Sequence, residues 1–323
     1  MQPSDTPKLV MPGLPPPRTG SGLNRVPATL LPDGSWALPV VQAPDGLYPT
    51  DIEWADFGFN PLRTVLTREV RVKHGAVVDE TEPDATLDPA VRLGWGCVKK
   101  SAGCDSCYSE AVNVRFGTGL GYVADYLQQG LVRLELDEQR LEAALGHKTE
   151  QGWRSKSWDG RPKVFVAYMT DLFSEFVPFT TIDRVFELFE RRDDIDWMVL
   201  TKRPDRMAEY LGGRRRLDNL YAGASVETQD WADHRIPHLS RCPAGVRFLS
   251  CEPLLELAHS IDLTGFEWVI LGGGSEAGAR ACDPDWLRLV TQRCADEGVA
   301  CFARQLRFWP WPADLAGCEW PRQ

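Results

Sequence analysis

From about residue 160 the chain repeats one alternation: a short apolar, β-branched run, then polar residues, then a helical pattern. The runs lie in "PKVFVAYMTDLF", "DIDWMVLTKRPDRM", "LDNLYAGASVET", "GVRFLSCEPLL", "FEWVILGGGSEAG" and "GVACFARQL". Each is short enough to be a strand buried on both faces. Between them "TIDRVFELFERR", "RPDRMAEYLGG", "TQDWADHRIPHL" and "DPDWLRLVTQRCADEG" predict helices. The last opens on an Asp–Pro start and ends at Gly298. Strand alternating with helix six times predicts an α/β fold around a parallel sheet, either open and doubly wound or closed as a full or partial barrel. In each case function gathers at the carboxyl ends of the strands.

All six strand exits are polar: Thr170 and Asp171; Thr201, Lys202 and Arg203; Ser225 and Glu227; Ser250 and Glu252; Ser275 and Glu276; Arg304 and Gln305. Folding alone does not require this, so the exits predict a lined pocket. Lys202 and Arg203 either pair with neighbouring carboxylates or hold a ligand carboxylate or phosphate. Glu252, followed by proline, reads as a pocket acid or as a cap. Strand alternation turns the Cys251 thiol away from its neighbours and into packing. "GGGSEAG" (Gly272 to Gly278) does not fit the G-x-G-x-x-G fingerprint. It reads as a tight turn, or as glycines such as Gly273 and Gly274 admitting a nucleoside or methionine moiety beside Glu276.

Composition adds boundaries. The 323 residues are 43% hydrophobic and 25% charged, which is ordinary for a globular protein. Eleven of the 24 prolines fall in the first 50 residues, so residues 1–45 read as an extended or disordered arm. Residues 46–305 then form the β/α unit, with 63–93 as an insertion, and 306–323 an irregular aromatic cap. No run reaches the ~20 apolar residues of a membrane span, and the N-terminus lacks a signal-peptide core. The expectation is a cytoplasmic protein with no membrane partner. A net charge of −10 argues against a chain coated in nucleic acid. A local basic groove stays open, and "GGRRRLD" (Gly212 to Asp218) is the candidate, read first as a solvated loop.

The densest chemistry is "GCVKKSAGCDSCYSE", where Cys97, Cys104 and Cys107 follow a C-x6-C-x2-C spacing. In a reducing compartment, clustered thiols indicate metal or redox chemistry. Structural zinc asks for four ligands, and no second C-x2-C pair exists. A thioredoxin-like "CDSC" would leave Cys97 idle. An iron–sulfur cube held by three cysteines keeps one iron open for a ligand.

The motifs "GCVKKSAGCDSCYSE", "VFVAYMTDLF", "MVLTKRPDRMAEYL", "AGASVETQDWADHRIPHL", "VRFLSCEPLL" and "WVILGGGSEAGARACDPDWLRLVTQRC" occur in that order. Over about residues 52 to 305 the chain resembles a phage- and mobile-element-associated family with a three-cysteine motif and unknown activity. That family is related to the radical S-adenosylmethionine superfamily. The resemblance implies a partial (β/α) barrel of about six to seven parallel strands. It implies that Cys97, Cys104 and Cys107 hold a 4Fe–4S cluster whose fourth iron takes S-adenosylmethionine. One electron from an external donor would then cleave the sulfonium to methionine and a 5′-deoxyadenosyl radical, which takes a hydrogen from the substrate. Met169, Thr170 and Asp171 would lie near the methionine amino group, with Ser225 and Glu227 at the ribose. Lys202, Glu252, Gly273, Gly274 and Glu276 would complete the cofactor site. The phage association points to a nucleic acid or nucleotide as substrate, through base modification or repair. A non-catalytic binding module pinned by zinc or a structural cluster is the alternative. Three departures stand out: about 30 extra residues between "IEWADFGFNPL" and Gly96, an aromatic (Tyr108) after the last cysteine rather than before it, and Arg304-Gln305 where relatives carry Lys-Gln.

Overall fold

A computed structural model describes residues 29–30, 36–37, 47–50, 52–66, 70–73, 76–80, 94–148, 155–157, 159–256, 260–274, 280–304, 313–315 and 319–321. The expected arm lies outside these but for two short strands, β1 (Thr29–Leu30) and β2 (Trp36–Ala37), paired antiparallel. The chain continues through β3 (Tyr48–Pro49), β4 (Phe57–Phe59) and β5 (Leu62–Leu66), then the hairpin of β6 (Val70–Lys73) and β7 (Ala76–Glu80). After the cysteines come α1 (Tyr108–Phe116), α2 (Ala124–Gln128), β8 (Val132–Leu136) and α3 (Glu138–Gly146).

The six apolar runs become β9 (Lys163–Val166), β10 (Asp196–Thr201), β11 (Leu217–Ser225), β12 (Ala244–Cys251), β13 (Trp268–Leu271) and β14 (Ala300–Ala303). The four helical patterns become α4 (Phe179–Arg191), α5 (Pro204–Leu211), α6 (Gln229–Leu239) and α7 (Pro284–Glu297). The expected start and stop of α7 are both present. The Asp283 carboxylate accepts the Asp285 N–H at 2.9 Å, and Gly298 takes a left-handed φ of 70°.

The main sheet runs β14–β13–β12–β11–β10–β9–β4–β3. Every pair from β4 to β14 is parallel, and only edge strand β3 is antiparallel. Seven parallel strands thus curl into a half-barrel, and the partial barrel is the alternative the fold adopts. The seventh, β4, comes from "IEWADFGFNPL". Its place beside β9 is separate from the added chain that follows, whose β5 pairs with β8 outside the main sheet.

Alternation along the strands divides the core. Val164, Val199, Ala222, Leu249, Val269 and Cys301 face the helices, meeting Ile182, Ile236 and Leu287. The opposite, concave face carries Phe165, Met198, Tyr221, Phe248, Trp268 and Phe302. Trp54 crosses it from the segment before β4, its ring 4.6 Å from Phe165. Trp320, from the expected C-terminal cap, stacks on Trp268 at 5.3 Å. A Cβ at Gly223 would stand 2.2 Å from the Phe248 ring, so glycine on β11 is what lets that ring lie across the strand. Both faces are buried, which explains why β9, β13 and most of β10–β12 read as unbroken apolar runs. Among the described residues no helix is long and apolar enough to cross a membrane.

Candidate functional site

The thiol loop sits on the carboxyl mouth of the half-barrel because its backbone and side chains are tied to strand exits. It leaves the β5 side at Gly94, whose carbonyl accepts the Thr64 N–H, makes a 3-10 turn at Ala102–Cys104, and enters α1 with Cys107 as its N-cap. Arg203, after β10, donates from Nη2 to the Val98 carbonyl at 3.2 Å. Tyr108 and Tyr122 donate their hydroxyls to the carbonyls of Tyr168 (3.1 Å) and Met169 (2.9 Å), after β9. Ser101 donates to Glu227 Oε1 at 2.6 Å, after β11. A Cβ on Gly103 would stand 2.6 Å from that same oxygen, so glycine permits the close approach of loop to rim.

Two buried carboxylates organise the rim. Asp171 accepts from Phe173 N and Thr201 Oγ1 on one oxygen, and from Lys202 N and Arg203 Nη1 on the other. Glu227, fully buried, pairs with Lys202 and accepts Ser101 on Oε1, while Oε2 takes Arg235 Nη1 at 2.7 Å. Arg235 is also fully buried, lies 3.9 Å from the Trp231 ring, and donates to the Ser225 carbonyl at 2.8 Å. Both carboxylates are therefore spent on holding the rim and the thiol loop together. Of Lys202 and Arg203, which the sequence left open between ligand and carboxylate, each here pairs with a carboxylate.

The thiols differ in their surroundings. Burial pushes Cys97 up to about 12, and the charge of Asp171 adds to the rise. Burial also pushes Cys104 up, but the Lys202 ammonium and hydrogen bonds from Lys100 and Ser101 outweigh it, and its pKa falls below the ordinary value. Burial in turn holds Lys202 below the usual ammonium range, against the pull of Cys104 and Cys107. All three thiols are free and half-buried. Among the described residues no three His, Cys, Asp or Glu side chains gather closely enough to hold a single metal ion.

The other expected site residues line the same rim. Met169 and Thr170 are buried, and Thr170 Oγ1 has no partner among the described residues. Ser225 ends β11, Glu252 directly follows β12, and Gly273 and Gly274 follow β13. Ser275, Glu276 and Gln305 lie outside the described residues. Cys251 packs on the helix-facing side, as alternation required. The arginine run lies at the opposite end of the barrel, before β11, where Arg214 pairs with Asp183 and Arg216 with Asp218. A cavity of about 470 Å³ at the start of α7, lined by Trp286 and an Arg288–Asp285 pair, contains none of the expected residues. The convergence of polar groups, rather than this hollow, locates the site.

A family described as a protein of unknown function, DUF5131, matches residues 83–313, well over half of the chain. The chain belongs to this family. No curated protein and no solved structure matches it. The DUF5131 match contains the thiol loop and all of β9–β14, while β4 and Trp54 precede it. Within it, sequence reading missed Ser101, Tyr122 and Arg235. Nothing in their local pattern marks them, since each acts on partners eight or more residues away.

Proposed function

We propose that this DUF5131 protein is a radical-S-adenosylmethionine-like iron–sulfur enzyme of the phage-associated, three-cysteine-motif kind, acting on a nucleic-acid base or nucleotide. The observation that supports this most is the placement of Cys97, Cys104 and Cys107 on one loop tied over the carboxyl mouth of a parallel half-barrel. The donor set is suitable in kind: three soft thiols within eleven residues of one loop. A cube gives each thiolate its own iron, so it needs sulfurs spaced around a cluster and not around a single ion.

A 4Fe–4S cluster held by these cysteines, reduced by an external donor, would supply the electron that cleaves S-adenosylmethionine at the iron left open. The chain's own residues prepare that place. Lys202 and Arg235 share the single carboxylate of Glu227, and the Lys202 ammonium lies near enough to Cys104 to favour its thiolate. Arg203 and Asp171 hold the loop's first half at a fixed height above β9 and β10. Thr170 Oγ1, buried without a partner among the described residues, offers a hydrogen bond to a ligand on the β9 side. The aromatic concave face below keeps water from entering from beneath.

The test is electron paramagnetic resonance on anaerobically reconstituted, reduced protein with and without S-adenosylmethionine, alongside iron, sulfide and zinc analysis. The expected result is a cubane signal that changes when the cofactor is added. Stoichiometric zinc without iron, or a cubane indifferent to the cofactor, would overturn the reading in favour of a binding module.

A further inference from the structure

At the exits of β12 and β14, three buried polar atoms face one another without being satisfied. The segment before β4 crosses the concave face and brings Glu53 and Trp54 to the exits of β12 and β14. There Arg304 Nε makes ion pairs with Glu252 Oε1 at 3.4 Å and Glu53 Oε2 at 3.3 Å, neither of them aligned as a hydrogen bond. The Trp54 indole N–H stands beside Glu252 and favours its charged form, again without an aligned bond. Trp54 Nε1, Glu252 Oε1 and Arg304 Nε therefore have no hydrogen-bond partner among the described residues, although Trp54 is only 3% exposed. Leaving one such group unsatisfied is costly, and three together indicate an absent occupant. Glycine at 272 lets Glu252 and Arg304 come this close to the exit of β13, since a Cβ there would stand 2.8 Å from Glu252 Oε1. Glu53 is exposed and marks the side on which solvent reaches the site.

The donor and acceptor types define the occupant. The Arg304 cation and the Glu252 carboxylate cancel, so an uncharged ligand suits the site. Two N–H donors flank one acceptor oxygen, and the complementary edge is a carbonyl next to an N–H. We propose that Trp54, Glu252 and Arg304 form a binding subsite for the lactam or imide edge of an uncharged planar ring, with Glu252 accepting its N–H and Trp54 and Arg304 donating to its carbonyl oxygens. The proposal does not rest on the iron–sulfur reading, because its argument uses none of the three cysteines. If both hold, the subsite gives a substrate ring its orientation.

The probe is 1-methyluracil, which keeps an imide edge, compared with 1,3-dimethyluracil, which lacks the N–H. Ligand-observed NMR with the full chain at millimolar ligand measures both. The wild type binds the first and loses at least about tenfold on the second, the size expected for one buried polar contact left unmade. Trp54→Phe, which removes only the N–H from a ring of similar shape, and Glu252→Gln each weaken 1-methyluracil by about tenfold while circular dichroism stays native. Burial, opposed by Arg304 and aided by Glu53, pushes Glu252 up to about 7, so binding also strengthens as the pH is raised through that value. Equal binding of the two uracils, no binding of either, or unchanged affinity in both variants would overturn the proposal and leave ordered water as the occupant.

Discussion

Replacing Glu227 with Gln is the sharpest test of how this rim is held. The substitution keeps the shape and removes one charge from a fully buried carboxylate that holds Lys202, Ser101 and Arg235. Two cations are then left facing an amide, one of them fully buried. At an effective dielectric of about 20, charge centres roughly 4 Å apart attract by about 4 kcal/mol, and breaking one partner of a buried pair costs about 3–5 kcal/mol. Lys202 is one-fifth exposed and already held below its usual range by burial, so it can shed its proton and relieve part of the cost. The expected loss is therefore at the lower end, about 3 kcal/mol. Urea denaturation of the full chain measures it, and hydrogen exchange over residues 98–107 reports the lost Ser101 tie. Combining Glu227→Gln with Arg235→Met should recover part of the loss, because the second change removes the stranded charge. A loss under about 1 kcal/mol, within the range of ordinary substitutions, or unchanged exchange in the thiol loop, would refute the idea that Glu227 joins loop to barrel.

Gly103→Ala places a methyl 2.6 Å from Glu227 Oε1 and 3.1 Å from Lys202 Nζ. Either the loop lifts or the Glu227 and Lys202 side chains give way, at a cost of about 1–3 kcal/mol, and iron uptake on reconstitution should fall below that of the wild type. Glu252 has a different signature. Its folded pKa of about 7 exceeds the ordinary 4.5, so the folded state holds the proton more tightly and stability is greatest below the ordinary value. That stability is lost as pH rises through about 7, by at most about 3 kcal/mol. Glu252→Gln should then match the wild type in Tm at low pH and exceed it above neutrality; parallel Tm curves would contradict this. Cys251→Ala should cost about 1 kcal/mol in the helix-facing core and leave iron content unchanged, whereas alanine at Cys97, Cys104 or Cys107 should abolish it.

Much of the barrel was readable along the chain. Strands such as β13, "WVIL", and helices such as α7, with Asp283 and Gly298 at its ends, are set by neighbours within a few residues. The seventh strand was harder. β4 is three residues long and is parallel to β9 more than 100 residues later, so no local period announces it. The candidate site divides the same way. The thiol spacing and the polar strand exits were visible, and six exits pointed to one rim. Which exits hold the structure and which stay open was not visible: Asp171 and Glu227 are fully engaged, while Thr170, Glu252 and Arg304 retain unsatisfied atoms.

Sequence by itself determined the parallel α/β architecture, because burial on two faces and helix periodicity are both local patterns. It also determined that three thiols share one loop. Only the tertiary structure decided that the sheet curls to a half-barrel, that Ser101, Tyr122 and Arg203 tie the thiol loop to its mouth, and that Trp54 meets Glu252 and Arg304 across the concave face. The reason is physical. A strand or a cap is specified by energies between residues a few positions apart, whereas a rim is specified by desolvated charges and hydrogen bonds between segments that only the packed core brings together.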